Sequence, residues 1–112
     1  MTEIQNSKPY DLEERTFQFT KEVLGFVKAL PKNMASLEIG KQVIRSAGSI
    51  GANYIEANES LGKKDFLMRI RICRKEAKET RYWLKLLEED GKLINEVTEL
   101  MKIFGSILEK SK

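Results

Sequence analysis

Histidine is absent from this chain of 112 residues, and cysteine occurs once, at Cys73. Without histidine the chain can form no Ser-His or Cys-His nucleophile pair, no histidine-based zinc site and no Glu-x-x-His di-iron site. A single cysteine excludes an intrachain disulfide and points to a reducing compartment. Neither a Walker A sequence nor a Gly-x-Gly-x-x-Gly sequence occurs. These absences predict a protein that is not an enzyme and that uses no metal and no cofactor.

Proline and long apolar runs are also scarce. The two prolines are Pro9 and Pro31, so everything after Pro31 could be helical without a proline break. No apolar run approaches the roughly 20 residues that a membrane span requires. The first residues lack the basic and then apolar segments of a signal peptide. We therefore expect a cytoplasmic protein with no membrane partner.

What the sequence does contain is a repeated amphipathic pattern. Hydrophobic residues make up 41% of the chain and charged residues 33%, a balance typical of globular helical proteins. Apolar residues recur at alternating steps of four and three, which places them on one face of a helix. Four segments show this spacing, at about residues 11–30, 33–59, 63–90 and 92–110.

The ends of these segments carry helix signals. Asp11 and Glu14 have the spacing of a capping box, and Pro31 ends the first segment. Gly91 stands where a left-handed residue would end the third segment at Asp90. Because the connections are short, neighbouring helices should run antiparallel. The sequence thus predicts a tail at residues 1–10 and, at residues 11–112, an all-α antiparallel up-down-up-down four-helix bundle.

The second segment contains glycines and polar residues that a plain packing helix would not need. Three interior glycines indicate either a close approach to another helix or a bend. Asn53 and Glu56 are one turn apart, and Glu79 of the third segment is a candidate partner for Arg45. These four residues predict a polar network that fixes the helix register or, alternatively, a ligand or interface site.

The third segment has a strongly basic flank. Residues 63–85 contain nine lysines or arginines and three acids. At about 100° per residue, five of the cations form a ridge along one side of the apolar stripe. Guanidinium groups bind phosphate bidentately, so the ridge is a candidate phosphate-binding track, the alternative being a solvated face. The predicted nucleic-acid-binding residues are Arg71, Arg74, Lys78, Arg81 and Lys85, with Lys63 and Lys64 at the start of the segment.

The opposite flank of the third segment is partly apolar. Tryptophan and methionine are enriched in the cores of subunit interfaces. The first and fourth segments also carry more apolar residues than one narrow core can cover. We interpret this flank as an oligomer interface, the alternative being a wider core stripe. The predicted interface residues are Met68, Ile72, Trp83 and Leu86.

Two further groups could suggest chemistry but favour a structural role. The carboxylate pairs at Glu76 with Glu79 and at Glu96 with Glu99 have the spacing of solvated helix faces. Cys73 lies on the apolar stripe of the third segment, where a buried, inert thiol is expected. No catalytic residue is predicted.

A family resemblance rests on three runs of this sequence. They are Leu30-Pro31-Lys32, the run from Arg45 to Asn53 followed by Glu56, and Lys63-Lys64-Asp65-Phe66. Together they resemble a bacterial family called four-helix bundle proteins, first noticed as reading frames inside intervening sequences of large-subunit ribosomal RNA genes. The accessory variability determinant of diversity-generating retroelements is similar. The chain departs from the family pattern at Gly51, Ala57 and Gly62, where the family often has proline, glycine and serine.

The resemblance implies a helical bundle that assembles into a ring, typically a pentamer. For the retroelement branch it also implies binding of nucleic acid and of a reverse transcriptase. Our first hypothesis is therefore a non-catalytic nucleic-acid-binding accessory protein, DNA or RNA, that acts as a homo-oligomeric ring through its basic helix face. The alternative is an interaction scaffold that binds a partner protein, such as a reverse transcriptase, without contacting nucleic acid. A small-molecule-binding bundle or an enzyme ranks last.

Overall fold

The computed structural model describes residues 11–112, and the predicted tail at residues 1–10 lies outside them. The described residues contain four α-helices and no strand. Each helix packs against the next and α4 returns to α1, so the helices close into the predicted antiparallel bundle, which confirms the fold class. The helices are α1 (Leu12–Lys28), α2 (Met34–Asn58), α3 (Lys63–Leu86) and α4 (Lys92–Lys110).

The first two helices begin at side-chain caps. Asp11 accepts a hydrogen bond from the backbone N–H of Glu14 at 3.2 Å, and Asn33 accepts one from Ser36 at 2.9 Å. Each bond satisfies one of the backbone donors that a helix start leaves without an intrahelical partner. The predicted start of the first segment is therefore the observed one.

The predicted apolar stripes meet in one core. Burying a side chain of this size contributes roughly 1.5–3 kcal/mol, so this cluster is the main source of stability. The largest fully buried apolar side chains are Phe19, Val23, Val43, Ile50, Ile70, Leu84, Val97, Leu100 and Phe104.

Two of the three interior glycines of α2 allow α1 to approach closely. A Cβ atom on Gly40 would lie 3.0 Å from Val27 Cγ1, and one on Gly51 would lie 3.1 Å from Thr16 Oγ1. The Thr16 hydroxyl cannot easily move away, because it donates a 2.6 Å hydrogen bond to the carbonyl of Leu12. Close approach is thus the reason for glycine at these two positions.

The prediction for the end of the third segment was wrong. Helix α3 ends at Leu86 rather than at Asp90, and the left-handed residue that follows it is Glu88, with φ 57°. The N–H groups of Glu88 and Glu89 donate to the carbonyls of Lys85 and Leu84 at 3.0 and 3.1 Å, which is the Schellman pattern of helix termination. Gly91, at φ 122°, instead stands directly before α4.

A carboxylate beyond the end of α3 explains this early stop. Glu89 is buried, and its side chain accepts hydrogen bonds from the backbone N–H groups of Gly91 (3.0 Å), Leu93 (2.8 Å) and Ile94 (3.0 Å). The chain therefore leaves α3 early enough to place this carboxylate over the start of α4. A negative charge there is also favoured by the helix dipole.

Candidate nucleic-acid interface

The predicted basic ridge lies along the seam between α3 and α4. Arg71, Lys78 and Lys85 are exposed, whereas Arg74 and Arg81 are half-buried. Arg81 Nη1 donates a hydrogen bond of 3.4 Å to Thr98 Oγ1 of α4, which fixes the side of α3 that the ridge occupies. At 1.5 Å rise per residue, the ridge from Arg71 to Lys85 extends for about 21 Å.

No acid neutralises the ridge within residues 11–112. The ion pairs of this part of the chain join other cations to carboxylates, for example Arg15 to Glu96 at 2.7 Å and Lys92 to Glu22 at 3.6 Å. The remaining pairs involve Arg45 or residues three apart on one helix. The α4 residues that follow Thr98 toward this seam at helical spacing are Met101, Gly105 and Leu108, and none is acidic. Within the described part of the chain the ridge therefore has no carboxylate at ion-pair distance.

The flank of α3 that faces α2 carries one cation, Arg69, and it has a partner. Arg69 Nη1 donates a 2.9 Å hydrogen bond to Asn53 Oδ1, and the Asn53 amide in turn donates to the Ser49 carbonyl at 2.9 Å. Arg45 of α2 donates to the carboxylate of Glu79. These two contacts hold α2 and α3 together, whereas the ridge cations form no ion pair within residues 11–112.

The predicted polar network consists of separate parts in the structure. The expected pairing of Arg45 with Glu79 is present, but Asn53 bonds to Arg69 instead of to either of them. Glu56 is exposed, and no hydrogen bond or ion pair joins its side chain to Arg45, Asn53 or Glu79. Arg69 was missed, although its position on the α2 side of the apolar stripe could have indicated it.

A buried polar pair fixes the register between α2 and α3. The hydroxyl oxygens of Ser46 and Thr80 lie 2.7 Å apart, and both residues are fully buried. Beside them Glu76 is only 7% exposed, with Oε1 3.6 Å from Nη1 of Arg45. Because buried polar groups are costly without partners, sliding α2 along α3 would be strongly unfavourable.

The four predicted interface residues differ in exposure. Met68 and Leu86 expose 44% and 52% of their surface. Ile72 is half-buried, as is Trp83, which packs against the core of its own subunit and meets the Tyr82 ring edge-on at 5.1 Å. Met68 and Leu86 are thus the members available to a partner.

The two lysines at the start of α3 are both exposed. At about 100° per residue, Lys63 lies at the α4 edge of the ridge, and Lys64 lies about 20° beyond Arg71 on the side toward Met68. Both lysines therefore prolong the ridge toward the start of α3.

The buried thiol of Cys73 gives a chemical prediction. Its sulfur donates to the Ile50 carbonyl at 3.5 Å, and burial raises its pKa to about 12. Since the thiolate is the reactive form, native protein at pH 8 should react with iodoacetamide about a thousandfold more slowly than an ordinary cysteine does. Labelling followed by mass spectrometry, with and without guanidinium chloride, measures this. Native labelling at the unfolded rate would contradict it.

The raised pKa also sets a direction for stability. Folding favours the neutral thiol, so its contribution to the unfolding free energy is complete below pH 9, the ordinary pKa. That contribution declines as the pH rises toward the folded-state pKa, because the unfolded chain then releases its proton first.

Two features are absent from the described residues. Residues 11–112 contain no cluster of three or more histidine, cysteine or acidic side chains that could hold a metal ion. Within the same range no helix has the length and apolar character needed to cross a membrane.

Comparisons with known proteins extend the resemblance. No curated protein matches this chain significantly. The chain is similar to a crystal structure from Bacteroides thetaiotaomicron VPI-5482, a protein of unknown function from the S23 ribosomal protein family. The two are 32% identical with a TM-score of 0.77, over 86% of this chain and 96% of that chain. The family model described as 23S rRNA-intervening sequence protein matches residues 8–110. The chain therefore belongs to the family of 23S rRNA-intervening sequence proteins.

Proposed function

We propose that this protein is a non-catalytic nucleic-acid-binding accessory protein that acts as a homo-oligomeric ring, with five subunits favoured by the family resemblance. The observation that carries the proposal is the basic ridge on α3, whose five cations have no carboxylate within ion-pair distance among residues 11–112. A surface of this kind is suited to a partner that brings its own negative charge.

The shape of the ridge favours phosphate over other anions. Its cations follow one another at steps of three or four residues along about 21 Å, which matches a linear polyanion better than a single small ligand. Arginine forks bind phosphate oxygens bidentately, and release of counterions adds affinity for each phosphate neutralised. The ridge offers few groups that read base edges, so weak sequence preference is expected.

Assembly would multiply this surface. The exposed side chains of Met68 and Leu86, near the two ends of α3, support an association of subunits that buries both of them. Several copies of the ridge on one particle would bind one strand at several places, which raises avidity without any new contact.

The alternative function is a protein-interaction scaffold whose partner could be a reverse transcriptase, with no direct contact to nucleic acid. The exposed apolar side chains on α1, α2 and α3 are the observation in its favour. In this alternative the ridge would only keep the protein soluble.

A salt titration separates the two functions. Fluorescence anisotropy with labelled DNA and RNA of arbitrary sequence should give an affinity that falls steeply between about 50 and 200 mM salt. If all five cations contact phosphates, the slope of log K against log salt should be about −3.5 to −4.5 per bound subunit. Absence of binding at the lower concentration, or binding that does not change with salt, would favour the scaffold.

A further inference from the structure

The exposed large hydrophobic side chains of residues 11–112 fall into two sets on different parts of the bundle. Half of them belong to α1 and α2, and the other half to α3 and the loop before it. The first set is Phe17, Met34, Leu37 and Ile55, and the second is Leu61, Met68, Tyr82 and Leu86. A subunit that buried one surface against an identical surface would need only one such set.

The first set lies along the groove between α1 and α2, which we call the α1–α2 seam and define by Phe17, Leu37 and Ile55. Phe17 lies three residues before Thr20 on α1. The Thr20 hydroxyl donates a 3.1 Å hydrogen bond to the Ala47 carbonyl of α2. Leu37 and Ile55 flank the same side of α2.

The middle of the seam is open. Gly48 lies between Leu37 and Ile55 on this side of α2, and a Cβ atom added to it would meet no other atom within 4 Å. The half-buried side chains of Leu24 and Ile44 line the groove between its two ends. The seam can therefore receive side chains from outside.

The second set forms a convex strip on α3, which we call the outer strip and define by Met68, Tyr82 and Leu86. Met68 lies near the start of α3 and Leu86 at its end, with Tyr82 one turn before Leu86, all on the side of α3 that points away from the core. The exposed Lys75 lies between Met68 and Tyr82 on the same side, and the strip borders the basic ridge, which lies on the α4 side of the helix. A convex strip of this kind complements a groove rather than a second strip.

The two surfaces also match in their positions along the bundle. The hydrogen bonds that Thr80 donates to Ser46 and that Arg69 donates to Asn53 fix which residues of α2 and α3 lie side by side. Counting from these bonds, Leu37 of the seam lies level with Leu86 of the outer strip. By the same count Ile55 lies level with Met68.

One pair of charged residues also matches in position between the two surfaces. One turn beyond Ile55 the seam ends at the exposed Glu59, and one turn before Met68 the outer strip ends at the exposed Lys64. These two charges are level with each other, as the apolar residues are. Subunits related by rotation about an axis along the bundle would therefore bring Lys64 of one copy to Glu59 of the next.

We propose that the outer strip of one copy docks in the α1–α2 seam of a second copy, so that the subunits associate head to tail. This inference rests on the homo-oligomeric part of the proposed function. Because the two surfaces differ, each bound pair keeps one free seam and one free outer strip. Further copies can therefore add at either end until the assembly closes on itself. The α1–α2 seam is the partner surface that the sequence patterns did not identify. In this arrangement the groove between α3 and α4, which carries the basic ridge, stays uncovered.

The test uses two variants that each lack one surface. The seam variant is Phe17→Glu with Ile55→Glu, and the outer-strip variant is Met68→Glu with Leu86→Glu. All four residues are at least 44% exposed in the subunit, so charges there should leave its fold intact, which circular dichroism checks. Sedimentation velocity should show each variant alone as a monomer of 12.9 kDa, while the unchanged protein is a multiple of that mass.

Mixing the two variants gives the decisive result. Only one intact seam and one intact outer strip can meet in the mixture, so we expect one-to-one dimers and nothing larger. A seam variant or an outer-strip variant that still self-associates would overturn the head-to-tail contact, as would a mixture of monomers. If the unchanged protein is itself a monomer, the inference and the homo-oligomeric part of the proposed function both fall, whereas salt-dependent binding by the ridge would stand.

A milder experiment covers the case in which a double variant does not fold. Glu59→Lys and Lys64→Glu each change one exposed side chain, and each should lower the oligomer mass at moderate salt. Combining both changes in one chain restores opposite charges across the contact, so the oligomer should reappear. Failure of the combined variant to recover would overturn the assigned pairing.

Discussion

Reversing Arg71, Lys78 and Lys85 to glutamate will weaken binding to nonspecific nucleic acid on the order of 100-fold or more at about 0.1 M salt. These three residues are exposed, and no carboxylate pairs with them in the described part of the chain. Their reversal removes three phosphate contacts and adds three repulsive charges to the same track. Anisotropy titrations with one labelled strand measure the loss.

The choice of residues keeps folding and binding separate. Arg74 and Arg81 remain unchanged because they are half-buried and Arg81 also bonds to Thr98. A matched control reverses Lys28, Lys32 and Lys110, which are exposed, lie outside α3 and change the net charge by the same amount. The control should lose little affinity. If both triple variants lose affinity equally, net charge alone governs binding and the ridge has no special role.

Replacing Glu89 with alanine will lower the free energy of unfolding by about 2–3 kcal/mol. The carboxylate accepts three backbone hydrogen bonds at the start of α4, and alanine would leave those donors without partners in a partly buried place. Urea denaturation followed by circular dichroism measures the change. The first turn of α4 should also lose protection against amide hydrogen exchange.

Asp90 provides the control for this experiment. It is the neighbouring acid in the same loop, and its replacement by alanine removes the same charge. Its side chain accepts a single long hydrogen bond, from the N–H of Lys92 at 3.3 Å. We expect this change to cost well under half of what the Glu89 change costs. Equal losses at both positions would mean that loop charge, rather than capping by Glu89, stabilises the start of α4.

The core and the helix starts could be predicted because they depend on local spacing. A period near 3.6 residues assigns Ile70, Cys73 and Leu84 to one face whatever that face meets. The end of α3 could not be predicted in the same way. Glycine is the usual left-handed residue after a helix, so Gly91 was the natural choice, but Glu88 holds that conformation because Glu89 must reach α4.

The candidate site also has a part that could be predicted from local spacing and a part that could not. Helical spacing alone places Arg71, Lys78 and Lys85 on one ridge. Whether α4 places an acid opposite the ridge depends on which side of α4 packs against α3. Contacts between the helices decide this, and local spacing does not show them. For the same reason the spacing left open whether Trp83 belongs to an interface or to a wider core stripe, and in the structure it is half-buried against its own core. The α1–α2 seam depends on the register of two helices and has no signature in either one.

Helix α3 carries a core face, an outer strip and a basic ridge on a single rigid element, and this constrains how the chain can change during evolution. Inserting one residue in the middle of α3 would rotate everything after it by about 100°. Leu84 would then leave the core, Leu86 would leave the outer strip, and Lys85 would leave the ridge. Substitutions can alter one of these faces without disturbing the other two, but a change of length cannot. Members of this family should therefore vary in length at their loops and termini while the number of residues in α3 stays fixed.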